Sequence, residues 1–236
     1  MQHRPPLYLA SSSPRRQQLL TAAGIPFILH AAPVDEETLT TEYTGPLERL
    51  GEFLARQKAD AARASLQRDG LDGVVLASDT TVLIDGRSLP KPRDLTEAAA
   101  MLRTLRGREH TVATGVALAS IESKSVRSAT SATRVRMRNY SDSEIAAYVT
   151  TGDPLDKAGA YSIQHPAFSP VASITGCRLG VIGLPVCLVA ALVNGALLPP
   201  DSPSRDGVCP WSPFCAPPFP GPDAFSEASS DVSRHE

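Results

Sequence analysis

The sequence lacks the features that mark membrane, secreted and general nucleic-acid-binding proteins. No uninterrupted apolar run reaches the ~18 residues that a membrane-spanning helix needs. No hydrophobic region follows the first charged residues, as it would in a secretory signal. The formal net charge of -2 gives no basic surplus with which to attract nucleic acid. We therefore expect a cytoplasmic protein that binds neither membrane nor nucleic acid.

Common cofactor-binding patterns are also absent. The chain has neither a Walker motif nor a GxGxxG pattern, which excludes the usual phosphate-binding loops of mononucleotide and dinucleotide sites. Its four cysteines lack the paired CxxC spacing, with added histidines, that a zinc site requires. We expect these cysteines to be thiols rather than metal ligands.

Composition divides the chain near residue 198. Residues 199–236 hold nine of the 21 prolines and carry six acidic and two basic residues, with few aliphatic side chains to bury. We predict a single domain over residues 1–198 and a Pro-rich, acidic, mostly disordered tail over residues 199–236. An alternative interpretation makes the tail a short partner-recognition motif. Its aromatic residues are Trp211, Phe214, Phe219 and Phe225.

Strand-like and helix-like segments alternate along residues 1–198 without an internal repeat. This alternation predicts the α/β class, with a mixed twisted sheet flanked by helices. We expect an acidic loop at residues 33–37, a long helix over 46–66 and a final helix over 184–198. A helix over 94–105 is expected to turn Leu95 inward, and a capping box at residues 141–144 predicts a further helix start.

A short apolar strand at residues 7–11 runs into the segment Ser-Ser-Ser-Pro-Arg-Arg at residues 11–16. Serine caps helix starts, proline suits the first turn, and the exposed N–H groups there attract anions. Arg15 and Arg16 add planar cations that bind phosphate oxygens. The segment therefore predicts a phosphate pocket, although an ordinary capped helix with two solvated arginines fits it equally well.

Asp79 is the most informative acid in the chain. Residues 73–78 form an apolar strand that we expect to end at Asp79, and strand ends in open α/β sheets present functional groups to a crevice. A carboxylate in this position can act as a general base for water or as a metal ligand. An aspartate that only begins a turn is the alternative.

Three lysines extend this interpretation. Lys91 stands between two prolines, Lys157 precedes a turn of small residues, and Lys58 belongs to the long helix. Rigid surroundings of this kind would be wasteful for solvated cations, which is what most lysines are. Converging cations with one or two carboxylates are what a magnesium-assisted phosphoryl reaction requires.

Nine ordered blocks within residues 7–198 closely resemble the motifs of Maf proteins. The blocks are Ser-Ser-Ser-Pro-Arg-Arg at 11–16, Val-Asp-Glu at 34–36, Lys-Ala at 58–59, Ser-Asp-Thr at 78–80, Lys-Pro at 91–92, the run at 107–115, Asp-Lys-Ala-Gly-Ala-Tyr at 156–161, Ile-Gln at 163–164 and Gly-Leu-Pro at 183–185. The resemblance implies a Maf-like fold with a central cleft. It also implies a nucleoside-triphosphate pyrophosphatase, in which water attacks the α-phosphorus and a monophosphate and pyrophosphate are released.

The resemblance also implies roles for individual residues. Asp79 matches the family's proton acceptor, and the substrate-selecting positions match Arg15, Thr80 and Gln164, a combination similar to the branch that prefers dTTP and UTP. The Gln164 amide offers a donor and an acceptor, which suits the O4 and N3–H edge of uracil or thymine. We expect five residues to hold the triphosphate: Ser13, Arg16, Lys58, Lys91 and Lys157. Glu36 and Asp79 are expected to place a divalent metal cation, magnesium or manganese.

Two points depart from the family pattern. His165 follows Gln164 where glycine is frequent, and Cys177 stands where an acidic residue is frequent. His165 is interpreted as a loop residue or a contact to the base edge rather than as a catalytic imidazole.

A different class of function fits the same pocket: a nucleotide-binding regulator of cell division or septation that does not turn over its ligand. The presence of Asp79, Glu36 and all three lysines favours the enzyme, because a sensor needs no general base. The resemblance further implies a homodimer.

Overall fold

The computed structural model describes residues 5–123 and 125–193. The strands are β1 (Leu7–Leu9), β2 (Ile28–Leu29), β3 (Val74–Ile84), β4 (Arg87–Leu89), β5 (Glu109–Ser120), β6 (Val126–Met137) and β7 (Val171–Thr175). They form one sheet in the order β2-β1-β3-β5-β6-β7, with β4 paired to β3. β1 is parallel to β2 and β3, and the other pairings are antiparallel. The predicted mixed sheet is confirmed.

Seven α-helices in the described part of the chain flank this sheet. They are α1 (Pro14–Ala22), α2 (Glu36–Glu42), α3 (Leu50–Arg68), α4 (Leu95–Leu105), α5 (Asp142–Val149), α6 (Arg178–Ile182) and α7 (Val186–Val193). The capping box predicted at residues 141–144 is present at the start of α5. No helix within the described ranges has both the length and the apolar character needed to cross a bilayer.

The two faces of the sheet are packed differently. Alanines of α3 pack against alternate small residues of β3 and β5, on what we call the α3 face. The opposite face carries larger aliphatic and aromatic side chains, packed by α1, α6 and α7 at one end and by α4 and α5 at the other. Because successive strand residues point to opposite faces, Asp79 lies on the α3 face and Thr80 on the other.

Two glycines let α3 lie directly on the sheet beside Asp79. Gly115 pairs with Asp79 across β3 and β5, and a Cβ at Gly115 would overlap the backbone of Glu52. A Cβ at Gly51 would lie 2.9 Å from the Asp79 carbonyl oxygen. The start of α3 therefore rests on the strand pair that carries the candidate base.

The sheet is interrupted next to Asp79. β5 follows one edge of β3 from Val74 to Leu83, while β1 and β4 share the other edge. β1 pairs with residues 74–76 and β4 with residues 82–84, so the structure gives residues 77–81 no strand partner on this edge. We call this interval the sheet gap, and Asp79 lies at its middle.

The prediction that Asp79 ends a strand is wrong. β3 continues unbroken from Val74 to Ile84, because its polar residues pair with β5 as regularly as its apolar ones do. Asp79 nevertheless lies beside an unpaired strand edge, because β1 and β4 leave residues 77–81 without a lateral neighbour. The sheet gap, rather than a strand end, exposes this edge.

Two other local predictions are wrong. The acidic segment at 33–37 is not only a loop: Asp35 accepts a hydrogen bond from the Thr38 N–H and begins α2, whose first-turn glutamates suit the positive end of the helix dipole. Leu95 is 40% exposed, because it is the first residue of α4 and faces away from the core.

The end of the chain is described only in part. α7 lies within the predicted final helix, preceded by the short α6, which the sequence pattern did not indicate. The remainder of that helix and the tail over residues 199–236 lie outside the described residues. The tail's disorder stays a prediction.

Candidate active site

Glu36, Lys58 and Asp79 form the centre of the candidate site. Lys58, on α3, places its Nζ 2.6 Å from Oδ1 of Asp79 and 3.0 Å from Oε1 of Glu36. The Lys58 and Asp79 side chains are each 13% exposed, so water screens this ion pair only weakly. The ammonium group keeps a carboxylate at residue 79 in a defined position beside the sheet gap.

The start of α1 lies at the end of β1, next to the sheet gap. Ser13 is the N-cap residue, but its side chain makes no capping hydrogen bond. The Ser11 hydroxyl oxygen instead accepts from the Ser13 N–H at 3.3 Å and from Arg16 Nη1 at 2.9 Å. The Ser13 side chain thus remains available at a helix start, where anions bind well.

Arg16 is a fixed, half-buried cation. Its Nε donates to the Gly183 carbonyl oxygen at 3.0 Å, and its Nη1 is held by Ser11. Desolvation by burial lowers the pKa of Arg16; the charge of Asp79 opposes this shift, Arg15 adds to it and Glu36 opposes it. An arginine stays protonated under such shifts, so its positive charge is set beside Asp79 and Glu36.

Arg15 and Lys157 share one carboxylate, Asp156. Arg15 Nη1 lies 3.0 Å from Asp156 Oδ2, and Lys157 Nζ lies 2.6 Å from Asp156 Oδ1. Burial raises the pKa of Asp156, but hydrogen bonds from Lys157 and the charge of Arg15 outweigh it, and the net pKa is lowered. Asp156 therefore stays ionised between the two cations.

Lys157 is held as a structural cation by three acceptors. Besides Asp156, its Nζ contacts the Asp153 side chain at 2.8 Å and the Asp153 carbonyl oxygen at 2.6 Å. Three acceptors use all three donors of an ammonium group. A contact between Lys157 and phosphate, as expected from the sequence, requires one of these bonds to be exchanged.

Lys91, unlike the buried Lys157, is exposed to solvent. Its side chain is exposed, and its segment is tied to the Lys157 loop by a hydrogen bond from the Gly159 N–H to the Pro90 carbonyl oxygen at 3.2 Å. The backbone thus brings Lys91 close to Lys157, while its ammonium group faces solvent.

Thr80 lies on the other face of the sheet, next to Arg16. The Thr80 hydroxyl is 3.1 Å from the Thr114 hydroxyl. A Cβ at Gly183 would lie 3.8 Å from Thr80 Oγ1 and 3.7 Å from Arg16 Nε, so Gly183 leaves open the space between them. Its φ of +131° also favours glycine.

Gln164 is half-buried in the loop that follows Tyr161. Its N–H donates to the Ser162 hydroxyl at 3.1 Å, and the neighbouring Ile163 packs on the face of the sheet that carries Thr80. His165 uses Nδ1 to accept from the Phe168 N–H, so one ring nitrogen serves the loop itself.

Sequence reasoning missed several supporting residues. Ser11, Thr114 and Asp156 each hold a residue that the sequence had singled out. The one signal for Thr114 is a threonine within a mostly apolar strand pattern. Ser11 and Asp156 lie within the blocks at 11–16 and 156–161, but their residue types alone did not indicate that they hold Arg16 and Arg15.

The carboxylates fit a divalent cation. Glu36 and Asp79 offer oxygen atoms on either side of the Lys58 ammonium group, which shows that the space between them favours positive charge. Within residues 5–123 and 125–193, no group of three or more His, Cys, Asp or Glu is arranged so that it could hold a metal ion by itself. Magnesium binds in this manner, through one or two carboxylates completed by waters and substrate phosphates.

Comparison with known proteins identifies one family and several relatives that share one name. Residues 6–196 match the family described as Maf-like protein. A protein of Thermomicrobium roseum named dTTP/UTP pyrophosphatase is 45% identical over 230 residues, which cover 98% of this chain and 99% of the relative. Proteins of the same name from Pelotomaculum thermopropionicum and Methylobacillus flagellatus are 43% and 45% identical over 188 residues, covering 80% of this chain and 95% and 91% of the relatives.

Proposed function

This chain belongs to the Maf family, and on that premise we propose that it is a nucleoside-triphosphate pyrophosphatase that hydrolyses dTTP and UTP. The names of relatives that are 43–45% identical support the substrate class. The observation that carries the chemistry is the Asp79 carboxylate, held at the middle of the sheet gap by Lys58 and facing the charge of Arg16.

Asp79 acts as the general base in this proposal. Lys58 holds Oδ1, and Oδ2 is the oxygen that we assign to the attacking water. The water transfers a proton to Asp79 and its oxygen bonds to the α-phosphorus. The bond from the α-phosphorus to the α–β bridging oxygen breaks, and pyrophosphate leaves with the bonding electrons. The products are a nucleoside monophosphate and pyrophosphate.

The surrounding cations bind the polyphosphate. Arg16 is preorganised by Ser11 and Gly183, so it needs no rearrangement to face an oxyanion. The exposed Lys91 can turn toward a phosphate without losing a partner. A magnesium or manganese ion held by Glu36 and Asp79 would add neutralising charge on the phosphate oxygens.

We assign the nucleobase and the sugar of the substrate to the face of the sheet opposite the α3 face. Thr80 and Gln164 are the base-selecting residues in this proposal, with Arg15 as the third substrate-selecting residue. Arg15 is held at its carboxylate partner, Asp156, on a loop next to the start of α1. The homodimer and the cytoplasmic location expected from the sequence remain predictions.

Pyrophosphate release by the full-length chain tests the proposed function. With magnesium or manganese present, we expect kcat/KM for dTTP and UTP to exceed that for CTP and GTP. Asp79→Asn keeps the shape of the side chain but removes the base, and should lower kcat by ~100-fold or more. Tight UTP binding by the wild type without pyrophosphate release would instead support the non-catalytic regulator.

A further inference from the structure

Thr114 has no role in the reaction described above, yet it contacts a residue that has one. It lies on β5 directly opposite Thr80 on β3, and it is completely buried. Its hydroxyl oxygen is 2.8 Å from the Gly180 carbonyl oxygen and 3.1 Å from the Thr80 hydroxyl oxygen. The three oxygens form a hydrogen-bonded chain from helix α6 to Thr80 in the sheet gap.

The direction of the hydrogen bonds in this chain follows from counting protons. A carbonyl oxygen only accepts, so the single proton of the Thr114 hydroxyl goes to Gly180. Thr114 must then accept in its bond with Thr80, and Thr80 donates its only proton to Thr114. The Thr80 oxygen is left with accepting capacity alone.

The environment enforces this direction. Gly180 lies in the last turn of α6, where carbonyl groups lack partners within the helix. The N–H of Leu184, four residues on, bonds to Leu179 rather than to Gly180. The Thr114 hydroxyl therefore satisfies a carbonyl that would otherwise be buried without a donor, which keeps the Thr114 proton in place.

We propose that Thr114 is a positioning residue that fixes Thr80 as a hydrogen-bond acceptor, and that it thereby selects pyrimidines whose N3 carries a proton. The inference rests on the proposed function, in which Thr80 faces the nucleobase; it assigns N3–H to the Thr80 oxygen and leaves O4 to the side-chain amide N–H of Gln164. On the hydrogen-bonding edge of uracil and thymine, N3–H is the one donor between two carbonyl acceptors. Cytosine presents a lone pair at N3, which would meet the lone pairs of Thr80.

Thr114→Val tests the proposal, because valine keeps the shape of threonine without its hydroxyl. The Thr80 hydroxyl is then released to rotate and donate to N3 of cytosine. We expect the ratio of kcat/KM for UTP to that for CTP to fall about tenfold, chiefly through faster CTP hydrolysis. Thr114→Ser retains the hydroxyl chain and should retain the ratio.

Thr80→Val provides an independent measurement, because it leaves the bond from Thr114 to Gly180 intact. The UTP-to-CTP ratio should again fall, here through slower UTP hydrolysis. A role for Thr114 only in holding α6 would lower melting temperature without moving the ratio.

An unchanged ratio in either folded valine variant overturns the proposal. Absence of pyrophosphate release from UTP, dTTP and CTP in the wild type would overturn the proposed function instead. In that case, calorimetric binding of UTP and CTP to the same variants still measures the preference.

Discussion

Two lysines with similar sequence contexts have different surroundings. Lys157 is 8% exposed and holds two aspartates, whereas Lys91 is exposed. Burial of a paired charge makes its removal costly, because the carboxylates left behind lose their compensation. The two residues should therefore respond to the same substitution in different ways.

We expect Lys157→Met to lower the free energy of unfolding by about 2 kcal/mol, because Asp153 and Asp156 remain partly accessible to water and the full cost of a buried pair does not apply. Lys91→Met should change it by less than about 0.5 kcal/mol and instead raise KM for the nucleotide. Denaturant unfolding and steady-state kinetics on both variants measure this contrast. Equal stabilities would show that Lys157 is not a structural cation.

At the scale of single residues, the sequence identified the charged groups but not what holds them. Arg16, Lys58 and Asp79 stand out because their residue types suit phosphate chemistry. Thr114 and Asp156 could not be found in this way, since their importance depends on partners 34 and 141 residues away. The direction of the hydrogen bond between Thr80 and Thr114, in particular, can be inferred only when the structure places the Gly180 carbonyl oxygen beside them.

At the scale of elements, the contact of α3 with the sheet positions the proposed general base, Asp79. The helix carries Lys58, and its approach depends on Gly51 and Gly115 at the strand pair that includes Asp79. A side chain at either glycine would separate the two layers. The position of α3 therefore links packing to the geometry of the site.

Gly115→Ala should destabilise the protein by about 3 kcal/mol, because backbone atoms of α3 cannot move aside as a flexible side chain does. It should also lower kcat, because a displaced α3 moves Lys58 away from Asp79. Gly180→Ala is the matched control, since a Cβ there would make ordinary contacts of 3.5 Å or more. Thermal unfolding and pyrophosphate release measure both effects; equal losses in the two variants would contradict this account of α3.

The order of strands and helices was predictable from the sequence, whereas the residues at which some of them begin and end were harder to predict. The apolar run at residues 73–78 predicted the first part of β3, helical spacing predicted α3 and α4, and the capping box predicted the start of α5. The start of α2 was missed because its residues are polar and all partly or fully exposed. The sheet gap could not be predicted, because it depends on where β1 ends relative to β4, and these strands are far apart in the chain.

At the scale of the whole molecule, one buried histidine couples folding to pH. His110 is 3% exposed, its Nε2 lies 2.7 Å from the Tyr161 hydroxyl, and its Nδ1 has no hydrogen-bond partner among the residues that the structure describes. Burial lowers the pKa of His110 from 6.5 to about 4. The folded protein therefore holds this ring neutral under conditions where the unfolded chain protonates it.

The contribution of neutral His110 to the free energy of unfolding is fully present above pH ~6.5. It is lost as pH falls toward about 4, because the unfolded chain takes up a proton at a higher pH than the folded protein does. The shift corresponds to roughly 3 kcal/mol across that interval. Urea unfolding of the wild type and His110→Gln at pH 7 and pH 4.5 measures it, and the variant should lose less stability on acidification. Parallel losses in the two proteins would rule out His110 as the cause.

The sheet gap has a consequence for how the protein distinguishes its ligands. Neighbouring residues of a strand normally lie on opposite faces of a sheet and cannot contact one molecule, but in the proposed function the unpaired edge at the sheet gap lets Asp79 and Thr80 contact the same nucleotide. Asp79, assigned to bond cleavage, and Thr80, assigned to recognition of the nucleobase, are thus separated by a single peptide unit. We therefore expect a nucleobase that fits poorly at Thr80 to disturb the carboxylate of Asp79 as well, so that discrimination among nucleotides appears in turnover as well as in affinity.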